Sequence, residues 1–355
     1  MSKILFILKR REDYNPVKHN PKGLSTGLYN SAMFMVDMLL NGGVDTEIEV
    51  AVDNNCIDRL VTKHRPTHVI IEALWVVPDK FYVLSKLHPN VKWIVRLHSE
   101  MPFIAGEGMA MDWIGDYFDC SNVILGINAP RILTEIKEYA KTKQGWNDEI
   151  VNSKIVYLPN FYPTDYKIKN YQSNKYWVDV ACFGAVRPLK NHLLQAHAAI
   201  KFANKINRQL RFHINGGRIE GKGDTVMSNL RSMFEHLSDC GHQLVIHEWA
   251  PREEFLKICA NMDIGLQCSF SETFNIVSAD LISQGVPVVG SKEIPWMSRF
   301  FIADPTNSDD IANALVRTHR FALLNVWKNQ DNLDKYTSLT KQHWLKYFKD
   351  SNDEE

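Results

Sequence analysis

Two series of short apolar runs, the second beginning where a polar stretch breaks the first, constrain this chain more than any other feature. The first series is KILFILK (3–9), TEIEVAV (46–52), HVIIEAL (68–74), WIVRLHS (93–99), NVILGIN (122–128) and KIVYLPN (154–160). The second is VDVACFG (178–184), RFHIN (211–215), QLVIHEW (243–249), DIGLQC (263–268) and VPVVGS (286–291). Helical patterns such as YNSAMFMVDMLLNGG separate them. Continuous β-branched strands alternating with helices predict parallel sheets covered on both faces, with ligands at the carboxyl ends of the strands. The stretch from Tyr162 to Lys175 lacks apolar periodicity and reads as a linker. The expected organisation is therefore a first Rossmann-like domain over 1–165, a linker over 166–177, a second Rossmann-like domain over 178–325, and terminal helices over 326–355.

Composition narrows the class. A chain of 355 residues, 45% hydrophobic, is long enough for two cores. Lys plus Arg and Asp plus Glu are 41 each, which argues against a surface coated in positive charge. The six cysteines form no CxxC pair, so neither a disulfide framework nor a zinc site is expected. The opening ILFIL is too short for a signal peptide or a membrane span, so a cytoplasmic location is expected.

The candidate site centres on SFSETFNIVSADLISQGVPVVGS (269–291). Glu272 opens a loop, and a helix is predicted to start near Thr273 to Asn275, where small and polar residues leave backbone N–H groups pointing outward for an anion. Asp280 lies eight positions on, a little over two helical turns, and Gly285 to Pro287 end the helix. A second candidate is FGAVRPLKNH (183–192), where a strand ends at Gly184 and a loop carries Arg187 and Lys190 to a helix start suited to phosphate. Near the N-terminus, NPKGLSTGLYNSA (20–32) sets Thr26 and Gly27 before an apolar helix, either as an anion-binding turn or as a plain capped turn. His98 ends a buried strand, as a sugar contact or as a hydrogen-bonded structural residue. Trp249 in HEWAPREEF either flanks a base or packs in the core. The glycine-rich HINGGRIEGKGD (213–224) reads as a loop.

These motifs resemble those of retaining glycosyltransferases of the GT-B fold, above all the large family 4. Glu272 matches the first Glu of its E-x7-E segment, Phe274 its aromatic, Asp280 its second Glu, and Gly285, Pro287, Val288 and Val289 its closing strand. Thr273 and Asn275 depart from the glycines usual there, and Asp280 is one methylene shorter than Glu. Lys190 matches the family's phosphate-binding Lys, whereas Arg187 stands two residues later than the usual Arg. The resemblance implies two doubly wound domains facing a cleft, with the last helix crossing back to the first domain. It implies that Glu272 and the backbone of Phe274 to Ile276 hold the donor sugar, and Asp280 the ribose. Lys190 and Arg187 would hold the diphosphate, with Thr26, Gly27, Gly184 and Trp249 around the nucleotide. His98 would reach the sugar. With no DxD motif, a metal is not expected. The activity implied is transfer of a sugar from a nucleotide-sugar, a UDP-sugar by expectation, with retention.

GLSTGLYNSAMFMVDMLL, HVIIEALWVVP and RLHSEMPFIAGEGMAMDWI resemble glycosyltransferases of large tailed bacteriophages, a group that includes enzymes glycosylating hydroxymethylated bases. The leading acceptor is then 5-hydroxymethylcytosine in duplex DNA, met by Lys9, Arg10, Arg11, Lys18, His19 and Lys22, although a solvated basic face reads the same way. The alternatives are a glycosyltransferase of polysaccharide or lipopolysaccharide synthesis, a sugar-nucleotide epimerase, and a non-catalytic nucleotide-sugar-binding scaffold.

Overall fold

The structure, a computed structural model, describes residues 2–9, 27–169 and 176–350. The described residues divide into two compact units, 2–9 and 27–163 together with 337–350, and 164–169 with 176–336. Thr26 and the basic stretch after Lys9 lie outside the described residues. So do 170–175 of the expected linker.

In the first unit β1 (Lys3–Lys9), β2 (Asp45–Ala51), β3 (His68–Glu72), β4 (Lys92–Leu97), β5 (Val123–Ile127) and β6 (Ile155–Tyr157) form one parallel sheet in the order β2-β1-β3-β4-β5-β6. The apolar runs are continuous because both faces are covered. In β1, Leu5 and Ile7 enter one core cluster, while Ile4, Phe6 and Leu8 enter another on the opposite face. The second cluster includes Trp344 and Phe348 of the last helix, Ala322–Asp350. The Trp344 ring lies 6.1 Å from that of Phe6, and its indole N–H donates to the Pro159 carbonyl at 2.9 Å. The last helix groups with the first unit from Thr337 onward.

The second unit carries β7 (Trp177–Val186), β8 (Gln209–Ile219), β9 (Gln243–His247), β10 (Ile264–Gln267) and β11 (Val288–Gly290), all parallel, in the order β11-β10-β7-β8-β9. The strand order reverses between β7 and β10. In a doubly wound sheet this switch point opens a crevice at the carboxyl ends of the strands.

The expected loop over 213–224 is a correction, since β8 continues to Ile219 and the next helix starts at Gly223. The glycines serve close packing there. A Cβ on Gly216 would stand 2.3 Å from Ile246 Cγ2, and one on Gly217 2.8 Å from the Trp249 nitrogen. Register shifts between β7 and β8 accommodate the extra length. Among the described residues, no helix is long and apolar enough to cross a membrane.

Candidate functional site

The segments after β7 and β10, which flank the switch point, are stapled together. Asn191 adopts the left-handed conformation at φ 59° and its side-chain amide donates to the carbonyls of Cys268 (3.1 Å) and Pro305 (2.7 Å). Gln195, in the helix His192–Lys205, donates to the Lys190 carbonyl at 2.6 Å and accepts from the Cys268 N–H at 2.7 Å. The Phe270 N–H donates to the Leu189 carbonyl at 2.9 Å. These bonds bring Lys190 to Glu272, with Nζ 2.5 Å from Oε1 and side chains only 12% and 7% exposed. Gly184, at φ 115°, closes the corner. A Cβ there would lie 3.9 Å from Lys190 Nζ, and its N–H donates to Asn215 Oδ1 at 3.0 Å.

The helix after Glu272 spans Ile276–Ser283. Its N-cap, Asn275, takes φ 62°, the region where glycine is at ease and Asn is the best-tolerated alternative. Asn275 Oδ1 accepts from the Ser278 N–H at 2.8 Å, and its Nδ2 donates to Gln267 Oε1 at 3.1 Å. The departure from glycine thus keeps the backbone shape while adding a cap. At the other end the Gly285 N–H donates to the Ile282 carbonyl and the Val286 N–H to that of Leu281, both at 3.0 Å, with Gly285 at φ 72°. This is a Schellman stop, as the Gly-Val-Pro run predicts.

Other expected contacts are engaged within the protein. Phe274 is a core residue, its ring packed on Trp296 and Tyr336 and its carbonyl accepting the Trp296 indole N–H at 2.9 Å. Asp280, the expected ribose ligand, is 3% exposed and accepts from Arg252 Nη1 at 2.5 Å. Arg187 donates to Glu220 at 3.2 Å rather than pointing alone into the loop. Glu220 also pairs with Arg218, whose guanidinium lies 5.1 Å over the Trp249 ring. His192 is buried, and its imidazole is pushed down to about 3 by burial, then by Lys190 and Arg187, so it is neutral.

In the first unit, His98 follows β4. Its Nε2 is hydrogen-bonded to Glu72 at the end of β3, and its Nδ1 lies 3.4 Å from Asn128 Nδ2. Glu72 is fully buried and also accepts from Arg96 Nη1 at 3.1 Å. Burial raises the Glu72 carboxyl, but Arg96 and His98 more than offset it and the net shift is downward. Burial pushes the His98 imidazole down against the upward pull of Glu72. Ala73, the next residue, holds φ 70°, a strained backbone at a strand end. Gly27 is the first residue of the helix Gly27–Asn41.

Sequence reasoning missed Asn191, Gln195, Gln267, Arg252 and Arg218. It also missed a hydrogen-bonded line of buried Asp179 and His213 and half-buried His247 on β7, β8 and β9. Polar residues inside apolar strand runs were the available signal for that line. Among the described residues, no cluster of three or more His, Cys, Asp or Glu is arranged to hold a metal.

No protein-family model matches the chain, and no curated protein matches it by sequence. Its fold does match solved structures. An α,α-trehalose-phosphate synthase (UDP-forming) from Burkholderia vietnamiensis superposes with TM-score 0.67 at 9% identity, over 97% of this chain and 96% of that one. Anabaena HepE in complex with UDP-glucose gives 0.58 at 12%, over 97% and 95%. A point mutant of Staphylococcus aureus TarM, complexed with fondaparinux, α-GlcNAc-glycerol and UDP, gives 0.60 at 16%, over 79% of this chain and 55% of that one. The chain therefore spans about half the length of TarM. The fold is GT-B, with two α/β units each built on a parallel sheet.

Proposed function

We propose that the protein is a retaining glycosyltransferase that takes a sugar from a UDP-sugar and passes it to an acceptor hydroxyl. One observation carries the reading: Lys190 and Glu272 meet at the β7/β10 switch point beside Gly184, so a phosphate-binding cation and a hydroxyl-binding carboxylate share one corner. The UDP and UDP-glucose complexes of fold neighbours support the choice of donor.

Breaking the bond between the anomeric carbon and the diphosphate oxygen puts negative charge on that oxygen. Lys190, with Arg187 one turn away, stabilises it in a water-poor corner. Glu272 accepts from sugar hydroxyls. The acceptor oxygen bonds the anomeric carbon on the face the diphosphate leaves, and the acceptor's proton passes to the departing phosphate. This retaining course calls on no metal and no covalent carboxylate intermediate. Asp280 would serve the ribose only by sharing its carboxylate with Arg252.

The acceptor assigned from the sequence is 5-hydroxymethylcytosine in duplex DNA. Of the basic stretch assigned to DNA, Lys9 is the described member, exposed at the end of β1. Incubation with UDP-sugars and duplex DNA carrying cytosine or 5-hydroxymethylcytosine, followed by mass analysis of the nucleosides, tests it. A hexose or pentose mass added to the hydroxymethyl base alone is expected. Transfer to a polysaccharide or lipopolysaccharide acceptor instead moves the assignment there. Turnover that persists within a few-fold in Glu272→Ala sinks the site itself, as does UDP binding unchanged in Lys190→Ala.

A further inference from the structure

Asp179, His213 and His247 form a continuous hydrogen-bonded line across three strands of the second unit. Asp179 Oδ1 lies 2.7 Å from His213 Nε2, and His213 Nδ1 lies 2.8 Å from His247 Nε2. The two imidazole planes are 21° apart. Register explains the line. Asp179 pairs with Arg211 and His213 with Val245, so each next member stands two residues along the neighbouring strand and on the same face. Asp179 and His213 are 8% and 7% exposed, while His247 at the end of β9 is half-buried.

Hydrogen-bond polarity propagates along such a line. Burial raises the Asp179 carboxyl, but bonds from His213 and Arg211 outweigh it and hold the group below its ordinary value, so it is an ionised acceptor. When the His213 ring is neutral, its one proton lies on Nε2 toward Asp179 and its Nδ1 is bare. A bare Nδ1 accepts, so His247 carries its proton on Nε2 and its own Nδ1 is bare. Burial, the larger cause, pushes His247 below its ordinary value, which favours the neutral ring. His247 is half-buried at the end of β9 and its bond to His213 uses Nε2, so the relay ends in Nδ1 as an acceptor for a ligand.

The end of the relay is placed relative to the Lys190 corner by one rung of the sheet. Ala185 pairs with Asn215, and Asn215 with His247. Asn215 accepts the Gly184 N–H on the way. Two strand spacings, about 10 Å, separate the rung's ends, comparable to the reach of a nucleotide from its diphosphate to its base. Phe183 sets its ring edge-on to His247 at 5.6 Å, an apolar wall beside the acceptor.

We propose that His247 reads the nucleobase of the donor: its Nδ1, held as an acceptor by Asp179 and His213, takes the hydrogen on N3 of the base. Uracil, whose N3 carries hydrogen, is then favoured over cytosine, whose N3 is bare and would face lone pair to lone pair. This rests on the donor-site reading at Lys190.

Calorimetry of the full chain with UDP and with CDP at pH 8, where unperturbed imidazoles are neutral, tests it. The wild type is expected to favour UDP by about tenfold or more, the scale of one satisfied against one frustrated hydrogen bond. His247→Gln, whose amide turns to offer donor or acceptor, should bring the two ligands within about twofold, with UDP binding still dependent on Lys190. Equal affinities in the wild type, or a preference that survives His247→Gln, overturn the inference and leave the donor site standing. UDP binding that is absent or indifferent to Lys190→Ala overturns both. Nitrogen-15 imidazole spectra of the ligand-free protein give a second readout: Nε2–H with bare Nδ1 on both histidines is expected, and a proton on His247 Nδ1 at pH 8 refutes the relay.

Discussion

The Lys190–Glu272 pair couples stability to function in a way that can be measured before any substrate is known. The two charged atoms are 2.5 Å apart and the side chains nearly buried, so removing one leaves the other without compensation in a poorly solvated corner. Breaking a fully buried pair costs about 3–5 kcal/mol, and the slight exposure here places each single change, Lys190→Met or Glu272→Gln, at about 2–3 kcal/mol. The double change removes both charges and should cost no more than either single one, giving a coupling energy of about 2–3 kcal/mol. Because the chain has two units, global two-state unfolding is not assumed. Urea-dependent hydrogen exchange on peptides from β7 and β10 reads the unit that holds the pair. Additive single changes, or single changes below about 0.5 kcal/mol, the range of ordinary surface substitutions, would show that the two charges are independently solvated and refute the shared corner.

Asn191→Ala should weaken the same unit by about 2–3 kcal/mol, because a buried and a part-buried carbonyl lose their donor and an alanine is placed at φ 59°; Asn191→Gly, which removes only the backbone strain, should recover part of it in urea titrations. Trp344→Ala should destabilise the first unit by about 3–5 kcal/mol through loss of a fully buried ring, read by exchange of β1 peptides. Acid should weaken both units. His68 and His192 are depressed by burial to about 4 and about 3, below their unfolded value, so the unfolded chain binds more protons and stability present above about pH 6.5 falls as pH drops toward the folded values. At pH 5 each contributes a loss of up to about 2 kcal/mol, and His192→Gln should flatten the pH dependence in the second unit alone.

The strands were legible because each is a β-branched run buried on both faces, a property a sequence displays locally. The helix after Glu272 was legible for the same reason at its end, where Gly285 must adopt φ 72°. Its start was read in place, and what the sequence did not display is that Asn275 stands in for glycine by occupying the same left-handed region and adding a cap. What stayed hidden depends on register and on partners far along the chain. Asn191 finds the carbonyl of Cys268, and Asp280 is held by Arg252, pairings set by which strands become neighbours. Gly216 and Gly217 look like a loop in one dimension and are the points where β8 passes hard against its neighbours.

The strand order itself explains why the site assembles where it does. In the order β11-β10-β7-β8-β9, the segments leaving β7 and β10 diverge to opposite faces, so the space between them is left uncovered and their first few residues line it. Lys190 and Glu272 lie 82 residues apart in the chain yet both fall within a few positions of those strand ends. A charged pair at that position needs no special loop, only the staples of Asn191 and Gln195, and the same geometry carries the polar line from Asp179 to His247 outward along the neighbouring strands. Changing a staple should therefore move both ends of the donor site together, whereas changing His247 should alter base preference without loosening the Lys190 corner.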